Sequence, residues 1–390
     1  MVVNQVYSIV NSLQSQLFGS AAIAVTDTRG LRALGQQLSG SNLYDKFTNA
    51  LVDRIGKTIV RTLDSKLEFP GLMRSEFDFA CMLQKVNVNI PDADNNSAWD
   101  IANPAFTPDQ FDVTVPDVKV LYFKGTSTFR VRITIPDRPL LDSAFTSAEE
   151  MAAFIQGITD SMEKSMIEKL NAVSKAAIAS AFVEKADISS ASVINMLTLY
   201  NSTHTPTIST PEEANESPEF QRWLSYQMGL TLQYLDTASE LYNEAFPDGT
   251  KLARRSSREN LHCWILSQVA NANKAFMASD TFWRDMVSLP LYKEVKMWQG
   301  SGTTPLPSLA DASTIHALAE NGDDVEMTYV IAAFADRESI GVCKYDLKTA
   351  SDRNNINGYT NIATMANLMF AVDLTENIVV FTLADPTITP

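Results

Sequence analysis

Residues 146–185 constrain this chain more than any other stretch. Thr146 stands three residues before Glu149, the spacing of a capping box. Apolar residues then recur at helical intervals: Met151, Phe154, Ile155, Ile158, Met162, Met166, Ile167, Leu170, Val173, Ala177, Ile178, Ala181 and Phe182. Gln156, Asp160, Lys164, Glu168 and Lys175 fall on the other face, with Asp160 and Lys164 spaced to pair along the helix. Proline is absent, and Gly157 is the one weak helix former, costing about 1 kcal/mol. A helix of this extent would be roughly 58 Å long at about 1.5 Å per residue. It must be a coiled coil or a beam with other layers laid along it. A strict heptad started at Met151 puts Ser165 and Lys169 on the seam, so the single beam is preferred.

The remaining sequence must supply those layers. The length of 390 residues suggests two or three domains, and 45% hydrophobic with 20% charged residues is an ordinary globular composition. No run reaches the length of a membrane span. Ala22-Ile23-Ala24 resembles a signal-peptidase site, but no Lys or Arg precedes Arg29, so the basic region of a signal peptide is missing. Cys81, Cys263 and Cys343 are scattered and odd in number, as expected of buried thiols in a reducing compartment. The net charge is −15, and the one short basic cluster is Arg254-Arg255 with Arg258. Gripping nucleic acid through phosphates requires clustered Lys and Arg, so DNA binding is not the expected main activity. A surface that lies near DNA without sticking to it would have this balance.

Taken in order, Val6, Ile9, Val10, Leu13 and Leu17 have helical spacing. Residues 20–41 are rich in Gly, Ser and Thr and read as an extended arm. Residues 43–63 predict a second amphipathic helix through Leu43, Phe47, Leu51, Ile55, Ile59 and Leu63. Val86, Val88 and Ile90 alternate with polar residues, as do Phe111, Val113 and Val115. The clearest strand is 128–135, with Phe129, Val131, Ile133 and Ile135 on one face and Thr128, Arg130, Arg132 and Thr134 on the other. Residues 121–123 precede it across a Lys124-Gly125-Thr126-Ser127 turn, which predicts a hairpin. Two strands alone are marginal in water, so the apolar face must rest on the body or on another subunit.

Beyond the long helix, residues 202–217 form a polar link. Ser217-Pro218 opens a helix expected to run as far as Phe246. Residues 261–266 suggest a buried strand, and 327–334 and 378–383 two more. Residues 336–361 between these last two are polar and Asn-rich.

Chemistry is hard to find. His204, His262 and His316 lack metal-ligand spacing, and the adjacent His262-Cys263 would point to opposite faces of a strand. Phosphate loops, dinucleotide fingerprints and nucleophile elbows are missing. Gly300-Ser301-Gly302 reads as a turn, and Asp323-Asp324 and Glu212-Glu213 as solvated charge. Arg130 and Arg132 fit a protective edge or a charged interface rim equally well. No catalytic, cofactor or metal residue is expected. The residues result in an acidic α+β chain with a beam, an arm and a projecting ribbon, which implies neighbours.

Three stretches resemble a known family. They are residues 53–59 (Asp53-Arg54-Ile55-Gly56-Lys57-Thr58-Ile59) continuing to Phe69-Pro70-Gly71, Val287-Ser288-Leu289-Pro290 with Trp298-Gln299-Gly300-Ser301-Gly302, and Ile340-Gly341-Val342 with Tyr345, Thr360-Asn361 and residues 376–381. Together with the order of elements, they resemble the tailed-phage major capsid proteins of the Hong Kong 97-type fold, most of all those of small short-tailed phages.

That resemblance implies an arm and helix in 1–62, the start of a peripheral domain in 63–85, and an extended β-hairpin loop in 86–136 overlapping the neighbouring subunit. It implies the peripheral domain with its spine helix in 137–200, an axial domain in 201–325 and returning peripheral strands in 326–390. The implied function is self-assembly into an icosahedral or prolate shell enclosing a double-stranded DNA phage genome. The implied partners are other copies in hexamers and pentamers, with portal and scaffolding proteins, and no membrane. The implied location is the virion, after assembly in the host cytoplasm. Phe129, Arg130, Val131, Arg132, Ile133 and Ile135 are the expected interface residues. The competing readings are a nanocompartment shell of the same fold and, from another class, a carboxylate-based hydrolase.

Overall fold

The computed structural model describes residues 10–15, 25–39, 67–74, 83–88, 118–123, 127–136, 148–188, 191–278, 292–300, 307–354 and 359–390. The expected helix over 43–63, the capping Thr146 and the strand at 111–115 lie outside them. The chain divides into two compact units. One holds Met1–Cys81, Thr126–Ala176 and Val342–Phe370; the other holds Met82–Gly125, Ala177–Gly341 and Ala371–Pro390.

In the first unit, residues 10–15 are helical and α1 spans Thr28–Ser39. The expected extended arm is therefore partly helix. Asp27 explains this: its Oδ1 accepts from the Gly30 N–H at 2.7 Å, and its carbonyl accepts from Leu31 N at 3.1 Å. That satisfies donors a helix start leaves open. Val10, Leu13, Leu31 and Leu34 are buried. Asn11 ties the two pieces, donating to the Val25 carbonyl at 2.9 Å and accepting from its N–H at 2.6 Å.

The long helix, α2, is Ala148–Ile188, 41 residues. Glu149 and Glu150 stand in its first turn and Lys185 in its last, matching the helix dipole. In its first-unit part Ile158, Met162, Met166 and Leu170 are buried, while Ser165 and Lys169, the would-be coiled-coil seam, are exposed. The apolar stripe is thus covered by the subunit itself. Asn171 accepts from the Glu68 N–H at 2.9 Å, and Lys175 pairs with Glu68 at 3.3 Å.

The sheet of this unit has the order β1-β11-β12-β4, from β1 (Met73–Arg74), β4 (Ser127–Pro136), β11 (Ile340–Asn354) and β12 (Tyr359–Val372). β4 runs antiparallel to β12 from Tyr359↔Pro136 to Leu368↔Ser127. The hairpin expected between 121–123 and 128–135 does not form. β3 (Val118–Phe123) instead pairs with β2 (Leu83–Val88), from Leu83↔Phe123 to Val88↔Val118. Alternation specifies that a segment is a strand and not which strand it joins. The 14-residue β12 gives β4 a ladder along its whole length, which the six-residue β3 could not.

The second unit centres on the sheet β5-β13-β10-β6-β7, comprising β5 (Val193–Asn195), β6 (Leu261–Leu266), β7 (Lys293–Val295), β10 (Val330–Asp336) and β13 (Ile378–Thr382). β10 and β13 are buried at every position, as continuous apolar strands covered on both faces should be. β10 starts three residues later than the sequence suggests, because Tyr329 takes a positive φ of 55° and separates it from β9 (Asp324–Met327). β9 lies between β8 (Ile315–Leu318) and β14 (Thr387–Thr389) in a small sheet.

Phe182, from the last part of α2, meets Trp298 edge-on at 5.4 Å and Trp264 at 6.3 Å. Trp298 Nε1 donates to the Val330 carbonyl at 2.7 Å, so its one polar atom is satisfied in the core.

α3 (Met196–Thr203) leads into the polar link, which carries α4 (Pro211–Glu216). Ser217 then caps α5 (Pro218–Leu235) through the Phe220 N–H. This helix stops at Asp236, not at Phe246, because Ser239 bridges to Arg254 and Thr237 N turns back to Tyr234 O. Two further α-helices follow, α6 (Ser267–Ala278) and α7 (Leu309–Ser313).

Candidate assembly surfaces

β4 is an edge strand of its sheet among the described residues. Phe129, Val131 and Ile133 are half-buried, and their register partners Ala366, Thr364 and Ile362 are fully buried. The apolar row of β4 therefore continues the covered face of its own sheet. Arg130 and Arg132 are exposed on the other face, opposite Met365 and Ala363. Ile135 shares the register row of Phe129 and pairs with Thr360. All six expected interface residues thus lie on one edge strand.

The β2–β3 ribbon in the second unit is a site the sequence did not reveal. Lys85 Nζ lies 2.8 Å from Asp373 Oδ2, 2.6 Å from Glu376 Oε1 and 3.3 Å from Glu338 Oε2. Arg254 also reaches Glu376, at 3.3 Å. Burial works against the charged form of Lys85, but Asp373 and Glu376 outweigh it and raise its pKa above the ordinary value. Burial pushes Glu376 up as well, against the pull of Lys85 and Arg254. The two directions conflict over the pair. The ionised reading is favoured because two carboxylates within 2.8 Å converge on one ammonium, while Glu376 has a second cation. On the other strand Lys119 pairs with Asp248, whose carboxyl that contact holds down to about 2. No spacing motif joins residues so far apart in the chain, so only the fold could bring them together.

Lys185 is fully buried near the end of α2. Its ammonium reaches the carbonyls of Tyr242 and Leu374, at 3.2 and 3.0 Å, and Glu244 Oε1 at 3.2 Å. Burial pulls its pKa down to about 8, with Glu244 opposing. The sequence showed a basic residue ending a helix, and the fold makes it a pin between three segments.

The histidines have structural settings. His204 stacks on Tyr200 at 4.2 Å, His262 stacks on Trp264 at 5.4 Å, and His316 meets Asp324 at 2.7 Å. Burial pushes the Cys263 thiol up to about 12, which leaves it no thiolate at neutral pH. Glu212 accepts from the Tyr329 hydroxyl, Glu213 from the Ser209 N–H, and Asp323 from Asn321. Gly300 has a positive φ of 97°, as a turn requires; Ser301 and Gly302 lie outside the described residues. Among the described residues no group of three or more His, Cys, Asp or Glu is placed to hold a metal, and no helix is long and apolar enough to cross a membrane.

The model of the Phi29-like phage major capsid protein family matches residues 7–382, nearly the whole chain. The chain belongs to that family. A search of curated proteins finds no match. Among solved structures, the capsid of Staphylococcus phage Andhra is similar at a TM-score of 0.52 and 9% identity, over 80% of this chain and 83% of that one. The capsid of cyanophage P-SCSP1u is similar at 0.44 and 12% identity, over 81% and 87%. The α+β fold is that of tailed-phage capsids, and the subunit is a structural protein of the virion that assembles with copies of itself into a shell.

Proposed function

We propose that the subunit encloses a double-stranded DNA genome and that neighbouring copies meet along the outer edge of β4, which is unpaired among the described residues. The edge itself carries this reading. β4 is a ten-residue strand with exposed Arg130 and Arg132 on a chain of net charge −15. Open edges offer unpaired backbone groups, and arginines on such an edge suit an acidic neighbour. Phe129, Val131, Ile133 and Ile135 set the position of that edge through their pairing with β12.

Residues 86–136 act as the loop that reaches a neighbour, 137–200 and 326–390 as the peripheral domain, and 201–325 as the axial domain of hexamers and pentamers. The heterologous contacts are closed by ring symmetry. The net negative charge keeps incoming DNA from adhering to the inner surface. Portal and scaffolding proteins are its other partners, and assembly takes place in the host cytoplasm. The subunit acts as a structural protein and performs no catalysis of its own.

The test is Arg130→Glu with Arg132→Glu. Light scattering during assembly should show a rate roughly tenfold lower at low salt, the difference shrinking as salt rises. Circular dichroism should remain unchanged. Normal assembly kinetics in a folded double variant would remove the edge from the interface.

A further inference from the structure

Among the described residues the β2–β3 ribbon has two strands, and such a ribbon is marginal unless something holds it. Its register puts Lys85 opposite Leu121 and Asn87 opposite Lys119. Cross-strand partners share a face, so Lys85 and Lys119 lie diagonally on one face of the ribbon. Lys85, Lys119 and Leu121 are all half-buried.

The acceptors come from separate parts of the same unit, and other contacts fix most of them. Asp373 is 3% exposed; its Oδ1 accepts from the Thr375 N–H at 2.9 Å and hydroxyl at 2.6 Å, which leaves Oδ2 for Lys85. Arg254 holds Glu376 and donates to the Thr375 carbonyl at 3.2 Å. Asp248 Oδ1 accepts from the Thr250 N–H at 3.0 Å in the turn completed by Gly249, whose φ is +83°, and Oδ2 receives Lys119. Receptor carboxylates anchored in this way lose little freedom when a lysine arrives.

From this geometry we infer that Lys85 and Lys119 are positioning residues for assembly, two ionic fasteners that dock the β2–β3 ribbon on its own subunit and so hold its two strands in place. The inference rests on the reading of this loop as an assembly element. The two fasteners differ in strength. The Lys119–Asp248 pair is the more exposed and is the one salt screens; the Lys85 cluster is shielded by its burial.

The experiment is hydrogen exchange on the dilute, unassembled subunit, followed by assembly of the same samples. Lys119→Asp and Lys85→Gln should each raise exchange of the amides in Leu83–Val88 and Val118–Phe123 about tenfold or more. Amides of Val330–Asp336 should stay protected. Both variants should assemble more slowly. The charge swap Lys119→Asp with Asp248→Lys should restore ribbon protection and assembly rate together, a rescue that loss of bulk stability would not give. Lys119→Asp, at the more exposed pair, keeps the test available if Lys85→Gln does not fold. Unchanged ribbon exchange in the single variants overturns the fastening while leaving the role of the loop untouched. Raised exchange with unaltered assembly overturns the positioning role, and failure of the swap to rescue does so too. A failed charge reversal at Arg130 and Arg132 bears only on the β4 edge, since neither arginine is in the ribbon.

Discussion

Single side chains already make measurable claims. Gly157 lies on an exposed turn of α2, and an added Cβ would meet nothing within 4 Å. Gly157→Ala should therefore stabilise the subunit by about 1 kcal/mol, through helix propensity alone. A urea titration that shows destabilisation would mean the helix is bent or contacted there. Lys185 gives a pH signature. Its folded pKa of about 8 lies below the ordinary 10.5, so between these values the unfolded chain binds more protons than the folded one. Its contribution therefore makes stability rise with pH in that window, by about 1 kcal/mol per pH unit at the steepest. Lys85 is shifted the other way, and its contribution fades only above its ordinary value. Urea midpoints at pH 8 and pH 9.5 should rise more in the parent than in Lys185→Met, and equal slopes would show that Lys185 is not desolvated. The buried lysine could not be read from the sequence, because a basic residue in a last helical turn is equally at home in solvent.

At the level of elements, α2 was legible because its 3.6-residue period persists through eleven turns without a breaker. Leu170 is 1% exposed on that stripe, so Leu170→Ala should cost about 2–5 kcal/mol in chemical denaturation, and Leu170→Asp should prevent soluble folding. A Leu170→Ala loss well under 1 kcal/mol would mean the stripe is not core. The apolar runs at 261–266 and 378–383 suggested buried strands, and the structure has strands at Leu261–Leu266 and Ile378–Thr382. α1 was hidden by its Gly, Ser and Thr content, although Asp27 before Gly30 and the Leu31 and Leu34 pair were available signals. Because those leucines are buried, removing residues up to 41 should lower the melting temperature as well as impair assembly; an unchanged melt would show the segment belongs to a neighbour. The long strand β11 was missed because its second half is polar, and β12 because its apolar residues follow no strict alternation; pairing by backbone ladder leaves no period to read. The wrong partner for 128–135 has a related cause: a local turn signal at 124–127 competed with a distant strand that offers a longer ladder.

For the whole molecule, the sequence indicated a structural role through what its composition disfavours: dispersed histidines, no phosphate loop and an acidic balance unsuited to gripping DNA. The α+β class followed from the helix and strand patterns, and the family from the local stretches that resemble capsid proteins; the family match over residues 7–382 bears both out. The charge cluster at Lys85 was invisible because its members are nearly three hundred residues apart, and only the fold brings them together. The central claim is that this subunit, through many modest contacts, closes on copies of itself. Electron microscopy of the purified protein, concentrated at moderate salt, tests it directly. Closed shells of uniform size are expected. A folded subunit that stays monomeric at every concentration would contradict it.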